Sequence, residues 1–267
     1  MSRPAALLGA LMIVVAPAAA RSEPAPRPLR YDLRLDAGIA AGAWAAWGAS
    51  ELAKKWLAPS TCRICATNRL DAGARDLLVW DHPDRARRGS NAVAALVPAG
   101  VVAHQLLAGR AAGDPAAGIV DLLLVVEATG LAMDLTQLAK FTGGRQRPYA
   151  RYGNPGPERA TDPEDNLSFY SAHAAFAFSL VAAAGTVSSQ RGYRSAPWVW
   201  GVGMSLAALA AYLRVGADEH YMTDILTGAA IGTAVGIAVP RLLHPRENGA
   251  TERSAMVAFP LGVRVVF

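Results

Sequence analysis

The chain has 267 residues, of which 52% are hydrophobic and 18% are charged, and its net charge is +5. This composition is too apolar for a disordered chain and has too few cysteines for a disulfide scaffold, so a helical protein in or at a membrane is the leading class. The basic residues do not cluster on one helix, so we expect no nucleic-acid partner, whereas a phosphorylated ligand fits the charge.

The first 20 residues have the layout of a secretory signal peptide. An Arg-bearing start precedes the apolar run from Ala5 to Val15, and the small-residue stretch from Pro17 to Ala20 follows. That arrangement predicts cleavage before Arg21, and an uncleaved membrane anchor is the alternative. Both interpretations place the chain from residue 21 onward outside the cytoplasm.

Six apolar segments with helical periodicity follow, and they predict an all-α bundle of about six helices, embedded in the membrane. The segments are Asp36–Trp56, Ser90–Gly109, Gly118–Lys140, Phe169–Ser188, Ala196–Leu213 and Met222–Leu243. The first is short for a span, because only the 12 residues from Gly38 to Ala49 are uninterrupted, whereas spanning takes roughly 20. The third has Asp121, Glu127 and Asp134 near one face, which indicates a bundle interior or an amphipathic helix of a soluble or peripheral bundle.

These patterns divide the chain into four parts. They are a signal peptide at 1–20, an N-terminal helix with an Arg-rich loop at 21–89, a helical catalytic domain at 90–245 and a tail at 246–267. The Arg-rich loop contains Cys62 and Cys65, for which a short structural disulfide is the expected role in an exported chain. The tail is rich in β-branched residues and has no obvious partner strand.

Three polar motifs stand at the ends of the later helices. The stretch from Lys140 to Pro148 closes the third segment, the stretch from Ser168 to His173 opens the fourth, and the stretch from Arg214 to Asp224 joins the fifth to the sixth. In an up-down bundle these helix ends lie on one face. The sequence therefore predicts a four-helix catalytic core whose motif side chains meet at one end.

The anion-binding groups in these motifs suit a phosphate. Arg147 and Arg214 offer planar guanidinium groups that match phosphate oxygens, and Lys140 adds a point charge. Ser171 and the backbone N–H groups beside it begin a helix, where anions bind readily.

The two motif histidines suit nucleophilic and proton-transfer chemistry. Asp224 lies four residues after His220, so on a helix its carboxylate can hold that imidazole in one tautomer. His173 is then available to exchange a proton with a leaving group.

Together the motifs resemble the signature of the type 2 phosphatidic acid phosphatase and vanadium haloperoxidase superfamily, which reads K-x6-R-P, P-S-G-H and S-R-x5-H-x3-D. The first motif is complete in Lys140, Arg147 and Pro148. The third is complete from Arg214 to Asp224, with Leu213 in place of its leading Ser. The resemblance covers about residues 118–243.

The second motif departs from the family pattern at two positions. Tyr170 and Ala172 stand where Pro and Gly are usual, while Ser171 and His173 remain. The Ala172 methyl group lies where family members leave room near the phosphate, so it either narrows the site or leaves the backbone donor intact. Tyr170 can add a contact to the leaving group.

The resemblance implies a phosphatase that needs neither metal nor cofactor. His220 would be the nucleophile that forms a phosphohistidine, Asp224 would orient it, and His173 would protonate the leaving oxygen and later activate water. The resemblance also implies a set of residues that bind the phosphoryl oxygens: Lys140, Arg147, Ser171, Ala172 and Arg214.

The expected substrate is a phosphomonoester or pyrophosphate, either an envelope lipid, which would place the protein in lipid metabolism, or a small phosphate ester. The alternatives are a vanadate-dependent haloperoxidase on the same fold and a non-catalytic membrane bundle that binds anionic lipid head groups. A metal site made of Asp218, Glu219, His220 and Asp224 is disfavoured, because the nearby cations would repel the ion.

Two features of the sequence give opposite predictions for the side of the membrane on which the site lies. The Arg residues of the loop at 57–89 favour the cytoplasmic side by the positive-inside rule. A Cys62–Cys65 disulfide favours the periplasmic side, as does the resemblance to envelope lipid phosphatases. We expect a bacterial inner-membrane protein whose active site faces the periplasm.

Overall fold

The computed structural model describes residues 23–153 and 162–247, together with the backbone of two short strands at 256–258 and 264–266. The predicted signal peptide lies outside the described residues. The helices are α1 (Leu33–Leu52), α2 (Lys54–Leu57), α3 (Arg69–Leu78), α4 (Pro83–Ala111), α5 (Pro115–Gly143), α6 (Pro148–Arg151), α7 (Ala172–Arg191), α8 (Ala196–Trp198), α9 (Met204–Gly216) and α10 (Met222–Leu243), with a 3-10 turn at Pro163–Asn166 and a π-helical turn at Val199–Gly203. The strands β1 (Met256–Ala258) and β2 (Arg264–Val266) pair antiparallel, so the tail supplies its own partner strand.

The all-α prediction is confirmed, and the six predicted segments correspond to α1, α4, α5, α7, α8–α9 and α10. Two differences lie in the Arg-rich stretch. The second long helix starts at Pro83 rather than Ser90, because proline at the first helical position needs no N–H partner. The loop also contains α3, where the Asn68 side chain accepts a hydrogen bond from the backbone N–H of Asp71 at 2.8 Å and caps the helix.

Five helical stretches are long and apolar enough to cross a membrane, namely α4, α5, α7, α8–α9 and α10. The first helix, α1, is not among them, in agreement with its short uninterrupted apolar run. The outer faces of α4, α5 and α10 expose large apolar side chains such as Leu107, Ile119, Leu138 and Leu226, and α8–α9 does so as well, whereas α7 is mostly buried. A contiguous apolar exterior around a buried core is compatible with a membrane environment.

The helices α5 and α7 form the centre of the bundle, with α1, α4 and α10 packed on α5 and α9 and α10 packed on α7. We call the end where α5 and α9 finish and α7 and α10 begin the site end, and the opposite end the far end. Asp121 on α5 is buried at the far end, where it accepts hydrogen bonds from Arg191 Nε (2.6 Å) and the Tyr193 hydroxyl (2.8 Å). The interior position predicted for this acid is therefore observed, and a cation compensates its charge.

A stripe of glycines on α10 lies against the backbone of α7. A Cβ atom added at Gly228 or Gly232 would lie 2.7 or 2.5 Å from a backbone carbonyl oxygen of α7 or its N-cap, and one added at Gly236 would lie closer still to a carbonyl of α7. Glycine at every fourth position thus allows two helices to approach closely, as in membrane helix pairs. This contact fixes the start of α10 beside the start of α7.

The glycine stripe predicts a position-specific effect of adding one methyl group. Gly232→Ala is expected to destabilise the fold by roughly 1–3 kcal/mol, as overpacking does, because the methyl group meets the Ala175 carbonyl. Gly100→Ala is the matched control, since a Cβ at this exposed α4 position meets nothing within 4 Å. Thermal unfolding of both variants in detergent checks this, and equal melting temperatures would contradict the proposed role of the stripe.

Candidate active site

The structure brings the predicted catalytic and anion-binding side chains together at the site end. His173 on α7 interacts electrostatically with Arg214, His220, Lys140 and Arg147, which come from the first and third motifs. These last four side chains are 2–6% exposed. The up-down order of the helices therefore produces the convergence that the sequence predicted.

His220 is held in one tautomer by a backbone carbonyl. Its Nδ1 lies 2.8 Å from the carbonyl oxygen of Ser168, which can only accept, so Nδ1 carries the hydrogen and Nε2 keeps its lone pair. Burial lowers the pKa of His220 well below its ordinary value, and the nearby Arg147 and Arg214 lower it further. The imidazole is thus neutral at physiological pH and has one nitrogen available as a nucleophile.

Asp224 acts on His220 through an intermediate residue. Its Oδ2 lies 3.7 Å from His220 Nδ1, and it accepts shorter hydrogen bonds from Ser168 Oγ (2.5 Å) and the Tyr221 backbone N–H (3.0 Å). The sequence predicted direct support of the imidazole, but the carboxylate stands in the first turn of α10 and caps it. Asp224 therefore fixes the Ser168 segment, whose carbonyl in turn orients His220.

Two residues missed by the sequence analysis complete this support. Arg145 donates from Nη1 to Asp224 Oδ1 (2.5 Å) and from Nη2 to Asp71 Oδ2 (2.6 Å), and its guanidinium lies over the Tyr221 ring at 4.2 Å. Asp71 on α3 is fully buried and also accepts from the Thr223 backbone N–H at 2.8 Å. Arg145 lies within the first motif, but no spacing rule connects Asp71 to residues 150 positions later.

The anion-binding arginines carry carboxylate partners in this structure. Arg147 donates to Glu219 (2.7 Å) and to Glu164 (2.6 Å), and Arg214 lies 3.2 Å from Glu219. The charge of Arg147 holds the pKa of Glu164 well below its usual range. Lys54 offers Glu164 a second partner at 2.6 Å.

The second motif forms the N-cap of α7. Ser171 Oγ accepts from the Ala174 backbone N–H at 3.4 Å, and the Ser171 backbone N–H donates to the Asp224 carbonyl at 3.2 Å. Ala172 is the first residue of the helix, where N–H groups lack intrahelical acceptors. Tyr170 is 2% exposed, so its side chain belongs to the core beside the site.

Cys62 and Cys65 form a disulfide in the loop that supports the first motif. The Arg63 backbone N–H donates to the Gly144 carbonyl at 2.8 Å, and the Gln146 backbone N–H donates to the Ile64 carbonyl at 3.2 Å. The disulfide loop therefore packs along the turn that carries the chain from Lys140 to Arg147.

The disfavoured metal site is not assembled from the carboxylates proposed for it. Asp218 accepts two hydrogen bonds from Arg75, both at 2.7 Å, and Glu219 is bound to Arg147. Guanidinium groups thus take the positions that a cation would need.

Comparison with curated proteins and with solved structures gives no significant match. A family model does match: residues 121–247 fit the PAP2 superfamily, and this stretch contains all three motifs. The match covers just under half of the chain and agrees with the resemblance to the type 2 phosphatidic acid phosphatases.

Proposed function

We propose that the protein is a metal-independent phosphatase that hydrolyses a phosphomonoester or pyrophosphate through a phosphohistidine at His220. The observation that carries this proposal is the hydrogen bond from His220 Nδ1 to the Ser168 carbonyl at 2.8 Å. It leaves Nε2 unprotonated among three buried cations, Lys140, Arg147 and Arg214. A neutral nucleophile next to fixed positive charge is suited to attack on an anionic phosphoryl group.

The reaction would proceed in two displacements. His220 Nε2 attacks phosphorus while the bond to the leaving oxygen breaks, and His173 gives its proton to that oxygen. His173 then removes a proton from water, which attacks the phosphohistidine and releases inorganic phosphate. The negative charge of the bound substrate favours the protonated form of His173 needed for the first step.

Substrate binding would exchange one set of anions for another. The phosphoryl oxygens take the positions of carboxylate oxygens on Arg147 and Arg214, while Lys140 and the first-turn N–H groups at Ala172 and His173 add further donors. Because Glu219 adjoins the nucleophile, its displacement from the two arginines accompanies productive binding.

The apolar exterior of the bundle supports a lipid substrate. If the five apolar helical stretches cross a membrane, the site end lies at its surface, where the head group of a phosphorylated lipid is located. A small phosphate ester fits the same cations, so a substrate panel has to include both classes.

We propose that the site end faces the periplasm, because the Cys62–Cys65 disulfide lies beside it. At the far end, residues 28–30 pair with residues 245–247. In a bundle that crosses the membrane, these segments then lie on the cytoplasmic side. A cleaved signal peptide would instead put the start of the mature chain in the periplasm. Signal-peptide cleavage and a periplasmic site end are therefore compatible only if the bundle lies on the periplasmic surface without crossing the membrane.

His220→Ala is expected to lower phosphate release at least ~10³-fold, because it removes the imidazole that the proposed mechanism uses as the nucleophile. The measurement is phosphate release by purified protein with EDTA present, over a panel of lipid and soluble esters. His82→Ala is the matched control, since His82 precedes α4, is exposed and makes no side-chain capping bond. Equal rates in wild type and His220→Ala would contradict the mechanism, and release abolished by EDTA would contradict its metal independence.

Asp71→Asn tests the positioning role of the Asp71–Arg145–Asp224 contacts. We expect kcat to fall about 10-fold with little change in KM, because the variant loosens the support of His220 and leaves the phosphate ligands in place. Asp76→Asn, an exposed position on the same helix, is the control. A change in melting temperature with unchanged kcat would show a purely structural role.

Reporter fusions test the orientation. With a periplasmic site in a spanning bundle, alkaline phosphatase fused after Phe267 is expected to be inactive, and the same enzyme fused after Asp81, between α3 and α4, is expected to be active. The reverse pattern would place the site in the cytoplasm, and activity at both positions would show that the bundle does not cross the membrane.

A further inference from the structure

Three buried side chains that the proposed reaction does not use meet near the far end. Asp36 comes from α1, Glu127 from α5 and His244 from the residue after α10, and their exposures are 4%, 0% and 1%. One ligand atom from each lies within 4.8 Å of one from each of the other two. The cluster joins positions that are about 90 and 208 residues apart in sequence from Asp36.

The hydrogen bonding of His244 requires a positive charge beside its second nitrogen. Nδ1 lies 3.2 Å from the Arg30 carbonyl oxygen, which can only accept, so Nδ1 carries a hydrogen. Nε2 lies 3.2 Å from Glu127 Oε2. The lone pairs of Nε2 and Oε2 would face each other at this distance unless a proton or a metal ion lies between the two atoms.

The carboxylates of the cluster are incompletely compensated. Glu127 Oε1 is buried and has no hydrogen-bond partner among the described residues, an arrangement that costs free energy in a protein interior. In the part of the chain that the structure describes, the ion pairs of Asp36 and Glu127 are both with His244.

We propose that Asp36, Glu127 and His244 bind a divalent transition-metal ion of the Zn²⁺ type. One imidazole nitrogen and two carboxylate oxygens are a donor set that Zn²⁺ accepts, with a fourth position left for water. The +2 charge balances the two carboxylates, and the ion gives the bare oxygen of Glu127 a partner.

The surroundings match those of metal ligands. A metal-bound histidine donates its other N–H to a carbonyl or carboxylate, as His244 Nδ1 does to Arg30. Asp36 Oδ2 accepts from the Asp32 backbone N–H at 2.9 Å, which orients the carboxylate. Ligand atoms around tetrahedral Zn²⁺ lie about 3.3 Å apart, and the distance of 3.2 Å between His244 Nε2 and Glu127 Oε2 already fits this spacing. Asp36 Oδ2 lies 4.0 Å from His244 Nδ1, so metal binding would have to bring this carboxylate toward the Nε2 side of the ring.

The ion would tie the N-terminal segment to the bundle. Residues 28–30 pair with 245–247 over the far end, and α1 packs along α5 from this point toward the site end. A metal held by α1, α5 and the end of α10 therefore fixes α1 in place. This role is independent of phosphate hydrolysis.

Zn²⁺ binding to the purified full-length protein tests the proposal. After EDTA treatment, reloading with Zn²⁺ and desalting, wild type is expected to contain close to one Zn²⁺ per chain by elemental analysis, and Glu127→Gln to bind at least 10-fold more weakly. Asp134→Asn, an acid on the same helix outside the cluster, is the matched control and keeps the ion. His220→Ala keeps it as well, which separates this site from the catalytic one.

Two further measurements keep the test decisive if Glu127→Gln does not fold. Zn²⁺ is expected to raise the melting temperature of the EDTA-treated wild type, and Co²⁺ bound to wild type to give the visible absorption of a low-symmetry site, lost in His244→Ala. Wild type that binds no Zn²⁺ would show that a proton lies between His244 and Glu127 and would overturn the proposal. Zn²⁺ that His220→Ala loses and Glu127→Gln retains would overturn it equally.

Discussion

The backbone contact between α7 and α10 positions most of the site. Glycines on α10 allow this helix to lie directly on α7, and at the site end the contact continues as a hydrogen bond from the Ser171 N–H to the Asp224 carbonyl at 3.2 Å. The first turns of α7 and α10 are therefore held in a fixed position relative to each other, since each residue in a first turn is fixed relative to its helix axis. His173 on one helix and the His220 loop before the other are therefore placed by packing.

Electrostatic compensation is the second constraint on this end of the bundle. Arg145 and Arg147 are close in sequence, yet Arg145 is bound by Asp71 and Asp224, whereas Arg147 is bound by Glu164 and Glu219. Asp224 is fully buried, and Glu164 lies at the rim with a 34% exposed side chain. A partly exposed ion pair, such as Arg147–Glu164, costs less to open than a buried one. This difference supports the proposed role of Arg147 as a phosphate ligand and of Arg145 as structural support.

The sequence predicted the helices and the convergence of the motifs because both depend on local periodicity and helix order. The missed elements depend on tertiary contacts. The helix α3 is ten residues long and stands among many arginines, and its stability comes from Asp71, whose partners lie at 145 and 223. The sequence did not predict the role of the Ser168 carbonyl either, because every residue type has a backbone carbonyl.

The far-end cluster shows the same limit more strongly. Asp36 and Glu127 stood out in sequence only as acids on apolar helices, and His244 only as a residue after the last helix. Their meeting depends on the antiparallel pairing of residues 28–30 with 245–247, which a sequence pattern of a few residues does not predict.

The altered second motif is compatible with the proposed chemistry, because its functional groups are those that the substitutions leave unchanged. Ser171 caps α7 through its side chain, and this bond depends on neither neighbour. Ala172 is the first helical residue and is partly exposed. Its methyl group therefore does not lie in a close backbone contact of the kind that requires glycine at position 232. Alanine also favours the helical conformation over glycine by about 1 kcal/mol. The N–H groups at the start of α7 thus keep their direction, and the substitution makes the helix start more rigid.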